Sequence, residues 1–150
     1  MNVPDDVLAA IGGIAVESVW VEIVAASMSA RGLEDAMRLA GRPGAALAAA
    51  RKTVGELADE DLRREATKWI NQAQALLETV RHPIVHGLAH YDEHRQWHAV
   101  HLRSGDVRPL NPESIDADRQ RLDHHAGDGW RIAHRIWTQR PADSVRTDEG

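Results

Sequence analysis

The chain has 150 residues, no cysteine and a formal net charge of −5 at pH 7. That length is most simply one domain, able to remove roughly two thirds of its surface from water on folding, and the missing cysteines exclude disulfides and thiolate metal sites. The acidic balance argues against a general nucleic-acid coat, which works by neutralising phosphates, but leaves room for a local basic site.

The opening "MNVPDDVLAA" carries acids where a secretory signal needs bases, and the apolar run that follows is interrupted by Glu17 and Glu22. The expectation is a soluble, cytoplasmic protein without a membrane span. Asp5 and Asp6 open a first helix running to about Ser29, with acids suited to its positive end. Along it Leu8, Ile11, Ala15, Val19, Ile23 and Ala26 keep a three-to-four spacing, and Val16, Trp20, Val21 and Val24 make other faces apolar. A helix hydrophobic on several sides is central, or meets a partner chain. The β-branched content of residues 19–24 is also compatible with a strand.

A short helix, a Gly-Arg-Pro-Gly break and a helix over about 45–57 follow. Leu62, Ala66, Trp69, Ala73, Leu76 and Val80 then form the cleanest helical stripe in the chain. Pro83 cannot donate to the carbonyl of Thr79, so this helix is expected to kink or restart there, with Gly87 just beyond. Trp97, Ala99, Val100 and Leu102, a Ser-Gly-Asp turn, then Val107 and Leu110 predict a short β-hairpin. Asn111 as cap and Pro112 at the first helical position start a last helix, with Gly127 and Gly129 as points where it could break. The tail after Arg140, "PADSVRTDEG", has no apolar period and reads as a mobile terminus, 141–150, beyond a domain of 1–140.

The residues that could carry chemistry lie in "RHPIVHG", 81–87. Histidine titrates near neutrality, so His86 can take a proton from a ribose 2′-hydroxyl or give one to a leaving oxygen. Arg81 stays charged and presents a planar fork to phosphate oxygens as charge develops on phosphorus. RNA supplies its own nucleophile, so neither serine, cysteine nor metal is required. On a regular helix five residues amount to about 140° of rotation, so Arg81 and His86 share a face only if Pro83 bends the backbone or a second subunit completes the site. Taken bare, an arginine and a histidine at this spacing are more often a helix-end cation and a capping side chain.

The wider pattern adds to this. "RHPIVHG" resembles the R-x4-6-H motif of the HEPN family (higher eukaryotes and prokaryotes nucleotide-binding), where forms such as R-N-x-I-V-H-G are frequent. "IGGIAVESVWVEIV" is similar to the family's first helix, with Trp20 and Glu22 standing imperfectly for its W-x-x-L-E stretch. The order of helices, motif, hairpin and closing helix extends the likeness over residues 5–139. It departs from the family at His82, where asparagine is frequent, and at Pro83. The resemblance implies an all-α, HEPN-like antiparallel helical bundle with a short β-hairpin before the last helix. It further implies a homodimer whose two motifs share a cleft and, in active members, metal-independent RNA cleavage without a cofactor. Arg81 and His86 would be catalytic. His82 can donate to a phosphate or orient Arg81, and Glu22, if buried, needs a partner such as Arg81 or His86. Toxins and phage-defence effectors of this kind imply an antitoxin protein as a further partner. The alternative is a catalytically inactive nucleotide- or protein-binding module.

His82, His86, His90, His94 and His98 recur every four residues, with His101 beyond. An unbroken helix could use such pairs to bind zinc, but Pro83 and Gly87 argue against one, so no metal site is expected. His124 and His125 read as solvated.

Overall fold

A computed structural model describes residues 2–42 and 44–140. The expected tail, 141–150, lies outside the described residues. The fold is mostly helical: α1 (Asp5–Ser29), α2 (Leu33–Ala40), α3 (Ala45–Gly55), α4 (Glu60–Leu76), a π-helical turn (Leu77–Arg81), α5 (His82–His86) and α6 (Pro112–Gln139). Between α5 and α6 lies a three-stranded antiparallel sheet in the order β1 (Leu88–Tyr91), β2 (Trp97–Val100), β3 (Val107–Pro109).

The central element is α1, which packs chiefly on α6 and α3. Its buried side is only partly the one that residue types alone indicate, which includes the buried Ile23 and Ala26. Val7, Ile14, Ser18, Val21, Ala25 and Met28 face the core, whereas Leu8 and Val19 are exposed. The signal is hidden by Ser18 and Ser27, whose buried hydroxyls donate to the carbonyls of Ile14 and Ile23 at 2.6 and 2.8 Å. A serine satisfied within its own helix can sit in a core without an unpaired polar atom. The residues left outside form a second apolar stripe: Leu8, Val16, Val19 and Trp20 are 52, 58, 42 and 48% exposed. By length and composition α1 could cross a membrane. In this fold one side of it packs against α6 and α3.

Two helix starts, those of α4 and α6, carry side-chain caps. The Asp59 carboxylate accepts from the Leu62 N–H, and the Asn111 side chain accepts from the Ser114 N–H, both at 2.9 Å. Leu62, Ala66, Trp69, Ile70 and Ala73 bury the inner face of α4; a fully buried leucine or isoleucine contributes about 1.5–3 kcal/mol. Gly127 and Gly129 do not break α6, which is continuous to Gln139. Gly129 is there for space: an added Cβ would lie 2.5 Å from Val24 Cγ1 and against the Trp69 ring. The Trp69 ring stacks on His125, with centroids 4.6 Å apart and planes 3° from parallel. Its indole N–H donates to the His125 carbonyl at 2.8 Å, and His125 Nε2 lies 3.1 Å from the Trp69 carbonyl.

His125 is therefore buried, not solvated. A ring on the inner face of α6 reads as polar in sequence because the stacked indole and the carbonyl that receive it come from a helix far away in the chain. Burial lowers its pKa below the ordinary 6.5. Above that value both folded and unfolded chains hold a neutral ring. As the pH falls below it the unfolded chain binds a proton that the folded chain resists, so stability drops. Urea midpoints are expected to fall between pH 7.5 and 5. His125→Gln should reduce that fall, and His82, shifted in the same direction, should supply part of what remains.

The sheet exceeds the expected hairpin by one strand. Residues 88–91 pair with β2 in the register Leu88↔Val100, Ala89↔Ala99, His90↔His98, Tyr91↔Trp97. Arg108 on β3 and Arg121 on α6 both reach the buried Asp118 carboxylate, tying the sheet to the last helix.

Candidate functional site at the π turn

The helix entering the site stays helical past Pro83, through a π turn and then α5. It widens. Because Pro83 offers no N–H to the fourth carbonyl back, the preceding turn shifts to five-residue spacing, and the His82 N–H donates to the Leu77 carbonyl. Single π turns of this kind occur often at functional sites. Gly87 then ends α5 in an extended conformation. A Cβ there would lie 2.8 Å from the Val100 carbonyl oxygen and against that of Pro83, so only glycine lets the chain pass directly from α5 into β1.

Arg81 points back to α1. Its Nη1 donates to Glu22 Oε1 at 2.9 Å, with the Glu22 side chain 10% exposed and that of Arg81 23%. Arg81 Nε is buried without a hydrogen-bond partner, a cost of about 1–3 kcal/mol for such a group. No hydrogen bond joins Arg81 to His86. His86 is exposed, and its ring lies 5.9 Å from that of His82, centroid to centroid. His82 is the middle of the cluster, half-buried, with the His101 ring from the β2–β3 loop stacked 6.1 Å away. Burial pushes its pKa down, and the neighbouring Arg81, His86 and His101 push it further the same way. His82 therefore stays neutral at pH 7, able to donate one hydrogen bond and accept another.

Sequence reasoning missed His101. The signal was present: a glycine stop after His86 followed by a hairpin must return the chain towards α5. The missing strand, residues 88–91, concealed how directly it does so. The rest of the histidine series disperses. His90 and His98 face each other across β1 and β2, His98 Nε2 lies 2.8 Å from Asp92 Oδ2, and His94 is exposed. Among the described residues no group of three or more histidine or acidic side chains could hold a metal ion.

The cluster is a surface patch. A cavity of about 620 Å³ between the ends of α1 and α6, lined by Ser27, Arg31, Trp130, Trp137 and Arg140 among others, shares no lining residue with it. A cleft beside Trp20, Asp123 and Arg131 does not include it either. No protein-family model matches the chain, and no curated protein or solved structure matches it significantly.

Proposed function

We propose that the chain is a HEPN-like domain acting in the cytoplasm as a homodimeric, metal-independent endoribonuclease, a toxin or defence effector held in check by an antitoxin protein. The observation that carries the reading is the grouping of a permanent cation, Arg81, with His82 and His86 around a π turn. Arginine stabilises the phosphorane-like state and His86 moves a proton. Glu22 orients the guanidinium. The exposed apolar stripe of α1 supports the dimer, since patches of this kind on soluble chains normally meet a partner. A second copy would also turn the surface patch into a cleft.

The test is incubation of single-stranded RNA with the pure protein in EDTA. Cleavage leaving 2′,3′-cyclic phosphate ends is expected, with DNA untouched because it lacks the 2′-hydroxyl. Light scattering should give a dimer mass, and Val16→Asp should reduce it to the monomer. RNA left intact by a well-folded dimer would favour the second reading, an inactive nucleotide- or protein-binding module. One observation favours that reading: the Arg81 fork is already partly occupied by Glu22.

A further inference from the structure

We infer that His101, on the loop between β2 and β3, is the general base of the same site, with His86 as its general acid and with Ser104 and Asp106 positioning the base. The inference rests on the ribonuclease reading above and adds a residue to it.

Transesterification moves two protons. One leaves the 2′-hydroxyl as the O2′–P bond forms, and one joins O5′ as the P–O5′ bond breaks, giving a 2′,3′-cyclic phosphate and a 5′-hydroxyl. Arginine cannot take part in either transfer, because it stays protonated. Within one chain, the histidine of R-x4-H therefore supplies one proton carrier for two tasks. The His82 ring is close to both candidates for those tasks, 5.9 Å from His86 and 6.1 Å from His101.

The tautomer of His101 is set by its loop. Ser104 Oγ donates to Asp106 Oδ2 at 2.5 Å, and a carboxylate only accepts, so the single hydroxyl hydrogen is used there. His101 Nδ1 lies 2.8 Å from the same Oγ and must then donate to it. The Ser104 N–H is 3.4 Å from Nδ1, much the longer and weaker of the two contacts. With the hydrogen on Nδ1, the lone pair is on Nε2. An imidazole whose Nδ1 hydrogen is held by a hydroxyl–carboxylate chain presents the tautomer a base needs, the carboxylate stabilising the imidazolium once formed. Charged and titratable groups around the cluster include Asp106 on the loop side, Glu78, Arg81, His82 and His86 on the helix side, and Glu22 of α1 through Arg81.

The experiment compares pH–rate profiles of wild type, His101→Ala, His86→Ala and Ser104→Ala on an oligoribonucleotide and on uridine 3′-(4-nitrophenyl phosphate). The nitrophenoxide of the second substrate leaves without a proton. His101→Ala should lose about 10²–10⁴-fold on both substrates, together with the acidic limb of the profile. His86→Ala should lose as much on RNA but recover on the nitrophenyl ester. Ser104→Ala should move the acidic limb while retaining part of the rate. Nitrogen-15 NMR should show His101 carrying its hydrogen on Nδ1, and in Ser104→Ala a shift towards Nε2. Wild-type rates in a folded His101→Ala, or recovery of that variant on the nitrophenyl ester, would overturn the assignment while leaving the ribonuclease reading intact. A wild type inert on both substrates would remove both.

Discussion

His86→Ala is expected to slow metal-free RNA cleavage by about 10²–10⁴-fold, the usual worth of a positioned acid or base, with no change in melting temperature. The second half of that statement comes from the structure: His86 is exposed, and its ring makes no hydrogen bond among the described residues, so its removal leaves nothing buried and unpaired. Arg81→Ala should be as damaging to rate but is a less clean experiment. It strands the buried Glu22 carboxylate, and breaking a buried pair from one side costs about 3–5 kcal/mol, less here because Arg81 is partly open to water. Arg81→Lys keeps a charge opposite Glu22 and removes the fork, so stability should return while activity does not fully recover. His90→Ala and His94→Ala, both exposed and on the strand and turn beyond the cluster, should be nearly silent. Equal RNA degradation by wild type and His86→Ala would mean that the activity belongs to another site or another protein.

The second large effect is on stability. Gly129→Ala is expected to destabilise the fold by about 3 kcal/mol, at the upper end for one methyl group forced into a packed core. For a chain of this size that is a fall of about 6–12 °C in melting temperature. The new carbon has nowhere to go. On one side is Val24 Cγ1 at 2.5 Å, and on the other an indole held by its stack on His125 and by its hydrogen bond to the His125 carbonyl. Gly127→Ala, two positions earlier in the same helix, meets nothing within 4 Å. It should stabilise by about 0.5–1 kcal/mol through the ordinary preference of alanine for helix. Opposite signs at the two positions, read from urea midpoints, check close packing against mere helix propensity. Destabilisation at both would assign the effect to some other property of α6.

These two glycines also show where sequence reasoning reaches its limit. Local signals were legible: the Asn111 cap, the apolar stripe of α4 and the turn chemistry at Gly105, whose φ of +73° suits glycine. What could not be read was any choice decided by a neighbour distant in the chain. Gly129 looks like a helix breaker until Trp69 is placed against it. His125 looks solvated for the same reason. Ser18 looks like an outer residue until its hydroxyl is seen bonded to Ile14. In the site, Arg81 and His86 stand out in sequence and Glu22 is legible as a carboxylate that one of them could pair; that it takes Arg81, and that His101 approaches His82, depends on contacts among separate elements. The four residues of β1 alternate too weakly to announce a strand, and their pairing partner supplies the pattern instead.

The π turn has a consequence of its own. A turn closed at five residues is an α-helix carrying one residue more than its register needs, so the helix before it and the helix after it are out of phase by about 100°. The face that α4 commits to the core and the direction in which α5 presents His82 and His86 are therefore set independently. Removing one residue, such as Glu78, would take out that offset while leaving α4 itself, Glu60–Leu76, in place. It would also swing Arg81, His82 and His86 a quarter turn or more around the axis, against a sheet that Gly87 holds close to the helix end. A single extra residue thus acts as an angular offset, decoupling how this helix is anchored from what it displays.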